Sequence, residues 1–149
     1  MNKYIITKSF TRLERCTLVK KLYEELLNDG KFNAVASILI RDIKTKKRKS
    51  LYGNKKKDDV IHSIELITYK GIKIYVIMSV NMGYDIVFNT SPIDATYVEY
   101  IRVSPAGTPI LYTQHLLDRY NQRVYDRKYT THKDMMVQLI IANARKSHP

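Results

Sequence analysis

The stretch IHSIELITYKGIKIYVIMSV, residues 61–80, decides the fold. Two runs rich in β-branched residues, Ile61 to Thr68 and Ile72 to Val80, flank Tyr69-Lys70-Gly71. Branched side chains pack well on a pleated surface, and a glycine in the connection accepts the positive φ of a tight turn. The stretch therefore reads as a β-hairpin. Downstream, Gly83 precedes a third strand, Tyr84 to Asn89, and Tyr97 to Val103 alternates as a fourth. Ser104-Pro105-Ala106-Gly107-Thr108-Pro109 has turn chemistry and leads into a short strand, Ile110 to Tyr112. The connections are too short for helical crossovers, so about five strands should join as a mainly antiparallel sheet.

Upstream, Leu13, Cys16, Leu18, Val19, Leu22, Tyr23, Leu26 and Leu27 recur at steps of three and four, which predicts an amphipathic helix from Thr11 to Asp29. Thr11 followed by Glu14 is a capping-box pattern, and Gly30 stands where a helix would stop. Val35 to Ile40 reads as a β-rich run. It leads into Lys44-Thr45-Lys46-Lys47-Arg48-Lys49, a loop or strand edge, and a second basic cluster, Lys55-Lys56-Lys57, follows Gly53-Asn54. After Tyr112 the period lengthens again: Gln114 to about Tyr125 reads as a helix capped by Thr113, and Thr131 to Ala144 as a final helix capped by Thr130 or Thr131. The expected fold class is α+β, a single domain over residues 1–149, in the order helix, sheet, two helices.

The chain carries 26 Lys and Arg against 14 Asp and Glu, a formal charge of +12 over 149 residues. Self-repulsion of that size fits a polyanionic partner, RNA or another phosphate-bearing polymer. One cysteine, Cys16, allows no intrachain disulfide and no cysteine cage for zinc, and its place on the apolar stripe of the first helix suits a buried structural thiol. No signal peptide and no segment of transmembrane length is evident, so a cytoplasmic setting without membrane contact is expected. Isolated glycines exclude a phosphate-binding glycine loop, no Gly-x-Ser-x-Gly elbow is present, and the histidines lack metal-ligand spacing. No cofactor and no metal are expected.

The densest polar grouping is His115-Leu116-Leu117-Asp118-Arg119-Tyr120-Asn121-Gln122-Arg123. His115, Arg119 and Arg123 are four apart and stack along one helix face. His115 falls in the first turn, where free N–H groups and the positive dipole end favour an anion. Guanidiniums bind phosphate oxygens in pairs, and an imidazole moves protons near neutral pH. The same residues also suit a solvated helix face, with Asp118 pairing locally to Arg119, Gln122 or Lys128.

The run Thr113, His115, Arg119, Tyr120, Arg123, placed between a short strand and a further helix, resembles the His-x3-Arg-x3-Arg segment of the RelE/barnase-like group of compact ribonuclease toxins. That resemblance implies helices on an antiparallel sheet and RNA cleavage without metal. It implies His115 as acid or base, Arg119 and Arg123 on the scissile phosphate, and Tyr120, Tyr112 or Tyr125 as second proton donors or stacking rings. Lys46, Lys47, Arg48, Lys49, Lys55, Lys56 and Lys57 would attract the nucleic-acid backbone. Two other readings stay open: a non-enzymatic phage or mobile-element binding or inhibitor protein that docks on an acidic partner, and an assembly protein that neutralises packaged nucleic acid.

Overall fold

The computed structural model describes residues 3–52, 61–80 and 83–147, with side chains given outside 50–52 and 144–147. The basic cluster Lys55 to Lys57 lies outside the described residues. Element order is α1 (Arg12–Leu27), α2 (Gly30–Tyr52), β1 (His62–Tyr69), β2 (Ile72–Ser79), β3 (Tyr84–Asn89), β4 (Glu99–Val103), β5 (Pro109–Thr113), α3 (Gln114–Arg123) and α4 (His132–Ser147). The five strands form one sheet in the order β1-β2-β3-β4-β5, every neighbouring pair antiparallel. The α+β class and the strand succession match the expectation.

Side-chain alternation sorts the core into two halves. Ile72, Ile74, Val76 and Met78 of β2 pack with Leu18, Val19, Leu22 and Leu26 of α1 and Val35, Leu39 and Ile43 of α2. Tyr75 and Ile77 point the other way, into a cluster with Leu117 of α3 and Met136, Leu139 and Ile140 of α4. Period-two alternation thus sends one strand's residues into both helix layers, and β2 is buried on both faces.

One expectation is overturned. Val35 to Ile40 is helical, and with Lys44 to Lys49 it belongs to the 23-residue α2 rather than to a strand, loop or strand edge. The physical reason is spacing: Val35, Leu39 and Ile43 stand four apart and bury one helical stripe, while the Lys/Arg run that follows has good helix propensity. Gly30 does not end a region of helix but begins α2, where Asp29 Oδ1 accepts from Lys31 N at 2.9 Å. The order is accordingly two helices, sheet, two helices. At α1 the capping box is present as read, with Glu14 N donating to Thr11 Oγ1 at 3.1 Å and Thr11 N to Glu14 Oε1 at 3.0 Å. Cys16 packs, partly buried, against the first core.

The β1–β2 hairpin closes through a two-residue turn in which Lys70 and Gly71 have φ of 48° and 85°, the left-handed pair of a type I′ turn. The N-terminal segment crosses this turn: Tyr4 N donates to Lys70 O at 2.8 Å. A Cβ at Gly71 would meet Tyr4 O at 2.8 Å, so backbone strain and a backbone clash coincide there. Gly71→Ala should lower stability by about 1–3 kcal/mol in urea unfolding, whereas Gly30→Ala, which meets nothing within 4 Å, should be neutral or slightly stabilising.

Candidate functional site

A buried ion pair supports the floor of the site. Arg15 sits three and seven residues before Leu18 and Leu22, on the apolar stripe of α1, and is buried with them. Its Nε donates to Glu99 Oε1 at 2.8 Å and its Nη2 to Glu99 Oε2 at 3.1 Å, a two-pronged pair from α1 to the start of β4. Arg15 Nη1 donates to Phe10 O at 2.6 Å, and Thr90 Oγ1 donates to Glu99 Oε1 at 2.7 Å. Both Glu99 oxygens are therefore engaged, and the pair holds α1 on the sheet.

Above this pair, an open cleft of about 480 Å³ is lined by Arg12, Arg15, Tyr97, Glu99, Gln114, His115 and Asp118, among others. Its walls are the first turns of α1 and α3 and the chain entering β4. Arg12 and His115 are exposed, and the Tyr97 ring is half-exposed. The first turn of α3 offers an anion less than its sequence suggests. Gln114 N donates to Val98 O at 3.2 Å and Leu116 N to Thr113 Oγ1 at 3.2 Å, so among the described residues only the His115 N–H of that turn has no capping partner.

His115, Arg119 and Arg123 lie on α3 as read, all exposed, but only His115 lines the cleft. At 1.5 Å per residue the arginines sit roughly 6 and 12 Å further along the helix axis. Asp118 lines the cleft and meets His132 across the α3–α4 connection, Oδ1 to Nε2 at 2.9 Å, rather than Arg119, Gln122 or Lys128. That connection is fixed by buried Asn121, whose Nδ2 donates to Tyr129 O at 2.8 Å and whose Oδ1 accepts from Tyr129 N at 3.1 Å.

The tyrosines divide from the cleft. Tyr120 packs against the second core, and the Tyr125 hydroxyl lies 3.4 Å from Gln138 O. Tyr112 is 3% exposed beneath α3 and α4, and burial pushes its phenol up, with only partial opposition from neighbouring Arg102. None of the three lines the cleft. On α2, Lys46 Nζ is committed to His62 O at 2.7 Å and to Asp42 at 3.1 Å, while Lys47, Arg48 and Lys49 are exposed.

Arg12, Arg15, Tyr97 and Glu99 were not singled out from the sequence. The available signal for the pair was an arginine standing on the apolar stripe of α1. No protein-family model matches the chain, and neither the curated proteins nor the solved structures contain a match.

Glu99→Gln keeps the shape of the pair but leaves Arg15 buried beside a neutral partner. It should cost about 3–5 kcal/mol in urea unfolding, and an Arg15→Met/Glu99→Leu double replacement should recover most of that. The second core makes a pH prediction. Burial, with Tyr75 nearby, pushes Tyr100 from an ordinary value of 10.0 up to about 12, and burial raises Tyr75 and Tyr112 in the same direction. A raised folded-state pKa stabilises while the phenol is neutral, so stability should hold below about pH 10 and fall as pH rises toward about 12. Tyrosinate absorbance should then show a late class that ionises together with loss of the circular dichroism signal.

Proposed function

We propose that the chain is a basic nucleic-acid-binding protein whose main contact with the phosphate backbone is the outer face of α2. The observation that carries this reading is the stripe Arg41, Lys44 and Arg48, spaced three and four apart and exposed, on the side of α2 opposite buried Val35, Leu39 and Ile43. Amphipathic burial thus turns a charge run into an ordered row of cations. The exposed Arg119 and Arg123 on α3 add to the surface field, within a formal charge of +12. Row-like cations without a base-reading arrangement favour backbone binding over sequence readout.

A second reading is supported by the cleft: metal-independent RNA cleavage, in the manner of the ribonuclease toxins that the α3 segment resembles. His115 shares the cleft with Arg12 and Asp118. His115 would take the 2′-hydroxyl proton as that oxygen bonds to phosphorus, and the P–O5′ bond would break with the 5′-oxygen taking a proton from water. Arg12 rather than Arg119 or Arg123 would face the charge on the phosphorane.

One set of measurements tests both readings. RNA oligonucleotides should bind with an affinity that falls steeply with salt, and Arg41→Gln/Lys44→Gln/Arg48→Gln should reduce the log–log salt slope by roughly 2–3. An unchanged slope would sink the α2 reading. For the second reading, RNA incubated in EDTA should be cut by the native chain and roughly 10²–10⁴-fold more slowly by His115→Ala. Bound but intact RNA would leave binding alone.

A further inference from the structure

β1 is an edge of the sheet, and its hydrogen-bond parity can be read from its ends. Val80 N donates to Ile61 O at 3.0 Å, so the odd-numbered residues of this strand turn their backbone groups toward β2. His62, Ile64, Leu66 and Thr68 turn theirs outward. Two contacts agree with that parity: Lys46 Nζ donates to His62 O at 2.7 Å, and Tyr4 N donates to Lys70 O at 2.8 Å. Between them, the N–H and C=O groups of Ile64, Leu66 and Thr68 have no hydrogen-bond partner among the described residues.

Open edges are ordinarily guarded by shortness, proline or an inserted lysine. The opposite edge follows that rule, since β5 has five residues and begins with Pro109, which has no N–H to offer. β1 has eight residues and contains neither proline nor lysine. Leu66 lies opposite Tyr75, on the face shared with α3 and α4, yet is 51% exposed. An apolar foothold thus accompanies the row of unpaired backbone groups.

Charge selects the occupant. Lys46 at the His62 end is already paired with Asp42 and β1 itself carries Glu65, so the local attraction rests on exposed Lys73, which faces Thr68 across the hairpin, within the chain's overall positive field. A second copy of a chain carrying +12 is repelled along the whole approach, whereas an acidic segment is attracted. We propose that β1 accepts a sixth strand from an acidic, extended segment of a partner protein, paired along Ile64 to Thr68, with an apolar side chain resting on Leu66. This surface is separate from the α2 stripe and from the cleft, and it stands whether or not the chain binds nucleic acid.

The test uses the full chain and a short synthetic peptide of alternating glutamate and valine, with a lysine–valine peptide as control. Fluorescence anisotropy should show binding of the acidic peptide only. Hydrogen exchange at the amides of Ile64, Leu66 and Thr68 should slow at least roughly tenfold on binding. Leu66→Pro removes an outward N–H without removing a β1–β2 bond and should weaken binding at least roughly tenfold. Should that variant fail to fold, an acidic peptide N-methylated at alternate amides replaces it and should likewise fail to bind the native chain. Protection of those three amides in the free chain, equal binding of both peptides, or self-association that Leu66→Pro abolishes would overturn the proposal.

Discussion

The constraint on which the rest depends is that β2, Lys73 apart, is buried on both faces. Ile74 and Val76 must be covered from one side and Ile77 from the other, and all three are essentially inaccessible to water. Neither helix layer can do this alone. The pair α1–α2 covers one face and α3–α4 the other, so β2 is part of the shared wall of two cores. Each fully buried aliphatic side chain contributes about 1.5–3 kcal/mol, which makes the packing of β2 worth more than any polar contact in the structure.

How much of this was legible followed from how local the deciding physics is. The hairpin at Lys70-Gly71, the capping box at Thr11 and the cap at Thr113 are set by residues within a few positions of each other, and each appears as read. α2 was misread because Val35, Ile38 and Ile40 have strand propensity, while the four-residue spacing of Val35, Leu39 and Ile43 becomes decisive only through the packing of that stripe on β1 and β2. The candidate site was less legible. His115 could be found from its own helix, but Arg12, Tyr97 and Glu99 reach the cleft from elements far away in sequence, and no local pattern joins them.

Charge plays two unlike roles here. Arg15 and Glu99 are withdrawn from water and saturated with partners, so their charges serve position. Arg41, Lys44 and Arg48 remain in water, where their charge acts on whatever approaches. The same residue type is structural or interactive according to which side of its helix it occupies.

The sheet is a meander: each strand pairs with the next one along the chain. Its ladders can therefore close hairpin by hairpin, with little chain entropy lost at each step. The contacts of long reach are those of the N-terminal segment, Arg15 with Glu99 across 84 positions and Lys8 N with Asp94 across 86. The sheet is thus knit from neighbours in sequence, and the buried Arg15–Glu99 pair ties its fourth strand to the first helix.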